Sequence, residues 1–107
     1  MADVYERIAA LRPADTNEAE LYEVGASAYI VGTLFICNQD NAARTYRVAL
    51  TDASGAATNE DWLAYDTEIA ANLTHTLVIP AGDGDTIRVK ASIADKLSFV
   101  LTGLKIT

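Results

Sequence analysis

Residues 28–38, AYIVGTLFICN, constrain the fold more than any other part of this chain, because they are apolar on both parities. Ala28, Ile30, Leu34 and Ile36 share one parity; Tyr29, Val31, Phe35 and Cys37 share the other. The stretch is rich in β-branched and aromatic residues and too short to span a membrane, so it reads as a strand buried on both sides. A two-layer sandwich solvates one face of each antiparallel strand. The second apolar face therefore predicts cover from another segment, such as an N-terminal arm, or from another subunit.

With 107 residues the chain is one domain, and half of it is hydrophobic, far from the composition of a disordered segment. Its net charge of −7, from 8 basic and 15 acidic residues, argues against a nucleic-acid partner, which needs clustered Lys and Arg on the phosphates. The single cysteine allows no intrachain disulfide, and Cys37 is expected to pack as a small hydrophobe. The opening MADVYERIAALRP carries acids and lacks an apolar core of signal-peptide length, and no segment approaches a membrane span. We expect a protein made and kept on the cytoplasmic side, with no membrane partner. The sequon Asn72-Leu73-Thr74 then has no consequence.

Short strands recur along the chain, separated by turn formers. They are expected at residues 19–24, 28–38 and 44–51, with a short one at 62–65. Three more are expected at 73–79, 86–92 and 97 onward. Tyr46, Val48 and Leu50 point one way from the third of these, and the strand is expected to form a hairpin with 28–38 across Asn38-Gln39-Asp40-Asn41. Residues 52–61 read as a polar loop and 66–72 as another connection. Leu97, Phe99 and Leu101 line one face; Gly103 then offsets the parity before Leu104 and Ile106, which predicts a bulge. Val4, Ile8 and Leu11 have helical spacing in a segment too short for an isolated helix, and Arg12-Pro13 breaks it. The expected organisation is a short N-terminal arm over 1–16 and an all-β domain over 17–107, an antiparallel β-sandwich with jelly-roll topology.

Little in the chain resembles an active centre. His75 alternates with Leu73 and Leu77 and reads as a hydrogen-bonded structural histidine. With one His and one Cys, zinc would need carboxylates or another chain, and no phosphate loop, dinucleotide fingerprint or zincin motif occurs. Gly82-Asp83-Gly84-Asp85 looks like the start of a calcium loop, but no Glu stands at the twelfth position, and turn chemistry explains it better. No metal or other cofactor is expected, and no enzymatic activity. Trp62 and Tyr65, beside Asp61 and Asp66, fit either a sugar-stacking platform or packing at a protein interface.

Several segments in order resemble a family of small tailed-bacteriophage virion proteins. Tyr5-Glu6-Arg7-Ile8 running to Pro13-Ala14 is similar to the family's Tyr-containing arm and Pro-Ala stretch. Leu21-Tyr22-Glu23-Val24 is similar to its first strand, and a long apolar strand ends in Cys37-Asn38 as in the family. Tyr46-Arg47-Val48-Ala49 and residues 64–72, AYDTEIAAN, complete the pattern. It departs at Gly25-Ala26-Ser27, where the family usually has a Val-Pro-Ala turn. The resemblance implies a non-enzymatic β-sandwich of the virion, either capsid decoration or a tail or collar accessory. It further implies many copies, homo-oligomeric contacts and other virion proteins as partners. On that expectation Val4, Tyr5, Ile8 and Leu11 anchor the arm, and Val31, Phe35, Trp62 and Tyr65 are interface candidates. The alternative is a carbohydrate-binding host-attachment module that uses Trp62 and Tyr65.

Overall fold

The computed structural model describes residues 3–52 and 55–107; Met1 and Ala2 of the expected arm, and Ala53 and Ser54 of the expected loop, lie outside the described residues. The described residues form eight strands: β1 (Asp3–Leu11), β2 (Ala19–Glu23), β3 (Tyr29–Asn38), β4 (Arg44–Thr51), β5 (Trp62–Ile69), β6 (Thr74–Ala81), β7 (Thr86–Ala91) and β8 (Leu97–Ile106). They form two four-stranded antiparallel sheets, ordered β1-β8-β3-β6 and β2-β7-β4-β5. The first strand pairs with the last, the second with the seventh, the third with the sixth and the fourth with the fifth. That nesting is one long hairpin folded over on itself, which is the jelly-roll sandwich the strand spacing predicts.

The alternating residues meet between the sheets. Ile30, Leu34, Ile36 and Phe99 face Val48, Ile69, Ile87 and Val89 in a core closed to solvent. Tyr46 stands at its edge, ring against ring with Phe99 and with its hydroxyl 3.0 Å from His75 Nδ1. The histidine thus links β4 of one sheet to β6 of the other.

Three expectations are corrected. Residues 3–11 are not an arm apart from the sandwich: they form β1, paired along β8 in the plane of the sheet. The register slips between Arg7 and Ala9, leaving Ile8 as an extra residue. Val4 and Leu11 are an odd number apart, so they share the inner side of one strand only because of that bulge, which is why the pattern imitated a helix. Second, β3 and β4 are not a hairpin: β3 pairs with β6 and β8, whereas β4 pairs with β5 and β7. The chain crosses between sheets at Asn38, whose buried amide donates to the carbonyls of Ala42, Ile69 and Ala70 while its Oδ1 accepts from Asp40 N–H. Third, Gly103 makes no bulge, since β8 stays in register with β3 from Tyr29↔Ile106 to Asn38↔Leu97.

The strand expected to stop at Tyr65 continues to Ile69. Here a bulge hid the alternation. Tyr65 and Asp66 together oppose Arg47, and Asp66 takes a left-handed conformation with φ of 48°. After that bulge Ile69 returns to the core, fully buried.

Candidate interaction surfaces

Because β8 runs straight through Gly103, Leu104 and Ile106 leave the inner parity of Leu97, Phe99 and Leu101 and emerge on the outer face of their sheet. Each then lies beside an outward residue of β3: Leu104 beside Val31, Ile106 beside Tyr29. The register carries the row outward on both sides, so that Tyr5, Leu104, Val31 and Pro80 line up across all four strands. A second row sets Ala10, Val100 and Phe35 side by side. Val31 is 51% exposed, Val78 65% and Tyr5 80%. Among the described residues nothing covers this face, β1 included, since it extends the sheet sideways. Between the two rows lie Arg7, Thr102, Thr33 and Val78, so the face is mostly apolar with interspersed threonines, and it is a candidate interaction surface.

The interface candidates divide among three places. Tyr5, Val31 and Phe35 are on the outer apolar face, joined by Tyr29, Val78, Leu104 and Ile106, which the sequence reading did not select. Ile8 and Leu11 pack against the chain's own core, and Val4 lies on the inner parity at its exposed edge. Trp62 and Tyr65 belong to the other sheet. The signal for Leu104 and Ile106 is that, with Val100, they share the parity opposite to Leu97, Phe99 and Leu101.

On that second sheet the bulges of β5 gather Trp62, Tyr65 and Asp66 around Arg47. Arg47 Nε lies 2.7 Å from Asp66 Oδ1 and its NH2 3.1 Å from Oδ2, a forked ion pair. Its guanidinium stacks 3.9 Å over the Tyr65 ring and 5.5 Å from Trp62, and the two rings meet edge to face at 5.4 Å. Trp62 is half-buried, with Ala49, its partner in the pairing, fully buried. The rings thus contact one another and Arg47, while Tyr65 remains 56% exposed. Trp62→Ala is expected to lower the melting temperature by about 5–10 °C, as an aromatic contact and a cation–π contact disappear. A melting curve checks this; an unchanged curve with loss of specific binding on a glycan array supports the platform instead.

Several other polar side chains close turns and tie segments of the fold together. Asp85 accepts from Gly82 N–H at 2.8 Å and donates its own N–H to Gly82 O, closing the turn that resembled a calcium loop. Glu18 accepts from Arg88 and from Ala57 N–H. Asp40 receives Arg44 at 2.7 Å, and that hydrogen bond holds its carboxyl below the ordinary Asp range; the Arg47 hydrogen bond does the same for Asp66. A carboxyl whose folded pKa is depressed stabilises the protein above its unfolded pKa, and that contribution is lost as pH falls through the folded value. Thermal stability should therefore fall as pH drops below about 4. In Asp40→Asn that acid limb should be shallower, as melting curves across pH will show.

No protein-family model matches the chain, and no curated protein does. Among solved structures, a family 35 carbohydrate binding module from Clostridium thermocellum is similar over 99% of this chain and 98% of its own, at 15% identity and a TM-score of 0.42. The K3 adhesin domain of Lys-gingipain from Porphyromonas gingivalis w83 is similar over 84% of this chain and 63% of its own, at 13% identity and a TM-score of 0.42. A chain of infectious bursal disease virus Gx strain is similar over 97% of this chain, which spans 30% of the viral one, at 15% identity and a TM-score of 0.40. Likeness at this level carries no argument about function.

Proposed function

We propose that this chain is a non-enzymatic structural component of a tailed-phage virion, made in the bacterial cytoplasm and built into the particle in many copies. It would serve as capsid decoration or as a tail or collar accessory. The observation that carries the reading is the apolar outer face of the β1-β8-β3-β6 sheet, centred on Val31 and Leu104. The function is adhesion: apolar strand surface is buried against neighbouring virion proteins, each square ångström removed from water contributing roughly 25 cal/mol before ordering costs. The ordered resemblance of the segments from Tyr5 to Asn72 to small phage virion proteins supports the same reading. A glycan-attachment role is less well supported, because Trp62 and Tyr65 are engaged by Arg47.

The test is to purify virions of the phage that carries the gene and locate the chain by mass spectrometry and cryo-electron microscopy. It is expected at stoichiometric, symmetric positions, with the Val31 face against a neighbour. A chain left entirely in the lysate supernatant overturns the proposal.

A further inference from the structure

We infer that the occupant of the apolar face is a second copy of this chain, packed sheet against sheet in a two-fold dimer. The inference deepens the proposed function and rests on its view that this face is the adhesive one. Charge is the first argument. The chain carries −7, yet on the outer parity of β1, β8, β3 and β6 the charged residues are Asp3 and Arg7, which cancel. Two strongly acidic copies repel at long range, and this face lets them meet with few charges to desolvate. The outer parity of the other sheet carries Glu20, Asp66 and Glu68 beside Arg47, Arg88 and Lys90.

Area is the second argument. The exposed fractions of Tyr5, Tyr29, Val31, Phe35 and Val78, with the half-buried Leu104 and Ile106 beside them, amount to roughly 600 Å² of side chain. Adding the threonines on the same parity, Thr33, Thr74, Thr76 and Thr102, brings the face near the ~800 Å² per partner of a standard interface. A self-complementary flat face closes as a dimer when it packs on its own copy, and the apolar row Tyr5-Leu104-Val31-Pro80 lets like meet like across the axis.

The experiment is sedimentation velocity of the purified full chain across the micromolar range, at low and high sodium chloride. A dimer is expected, and salt should tighten it, because screening relieves repulsion between like-charged copies. A basic partner would show the opposite trend. Val31→Asp should weaken dimerisation by about a hundred-fold or more, since it buries an unpaired carboxylate at the centre. Val78→Arg, at a more exposed position, should also weaken it and guards against misfolding of the first variant, with circular dichroism as the check. Leu63→Asp, on an exposed residue of the other sheet, should leave it unchanged. Cys37, on the same outer parity as Phe35, should react slowly with a thiol reagent in the dimer and faster in Val31→Asp. A monomer at every concentration, a larger oligomer, or a dimer indifferent to Val31→Asp and Val78→Arg overturns the inference. A monomer that still enters virions through this face would leave the proposed function standing, with a different virion protein as the occupant.

Discussion

Replacing Asn38 with aspartate is expected to destabilise the protein by about 3–5 kcal/mol at neutral pH, a large part of the total stability of a domain this size. The side chain is closed to solvent at 1% exposure. Its amide nitrogen donates to Ala42 O at 2.9 Å, Ile69 O at 3.1 Å and Ala70 O at 3.2 Å. Aspartate would set a buried carboxylate oxygen against three carbonyl oxygens, with no water to intervene. Asn38→Ala should be milder, because it removes the donor without adding a charge. The two are separated by pH. The new carboxyl would have a folded pKa raised by burial and by the carbonyls, so its penalty is greatest at neutral pH and shrinks as pH falls toward its unfolded value of about 4. Urea titrations at neutral and mildly acidic pH check this. A midpoint for Asn38→Asp equal to the wild type at neutral pH would mean that the corner between the sheets is not held by this amide.

Gly103→Ala is expected to cost about 3 kcal/mol or more, from backbone strain and overpacking together. Gly103 has φ of +150°, a conformation L side chains rarely adopt. A Cβ there would lie 2.3 Å from Val31 O and 2.7 Å from Gly32 Cα, both backbone atoms of the central strand, which has no slack to give. Gly25 has nothing within 4 Å of its added Cβ and no positive φ, so Gly25→Ala should stay within about 0.5 kcal/mol of the wild type. Thermal melts of the pair read the contrast. Prying β8 from β3 at Gly103 would also disturb the apolar face directly above, so self-association should weaken together with stability. Equal melting temperatures for the two variants would contradict the close approach of these strands.

Alternation along one strand is a local property, and the sequence carried it. The bounds of β4 at Arg44–Thr51 and the inward parity of Tyr46, Val48, Ile87, Val89, Leu97, Phe99 and Leu101 were legible because each side chain's face depends only on its neighbours in the chain. The all-β class and the jelly roll followed from that spacing. Hidden were the places where one extra residue reverses the count. The Ile8 bulge made an edge strand imitate a helical arm, and the bulge at Tyr65 and Asp66 made β5 seem to end early. A bulge is fixed by the partner strand, and the partner is distant in sequence.

The sequence by itself determined that this chain has apolar surface on both sides of residues 28–38, and hence more than its own core can absorb. Only the tertiary structure decided where the excess goes. Periodicity reports which way a side chain points, not which sheet its strand joins or what lies beside it. That depends on hydrogen bonds between strands far apart in the chain, such as Val31 beside Leu104 and Pro80. The same long-range pairing kept β8 straight at Gly103, turned Leu104 and Ile106 outward, and placed β1 in the plane of the sheet rather than over it. A local pattern became a continuous face because four strands were brought into register, and register is a property of the folded chain.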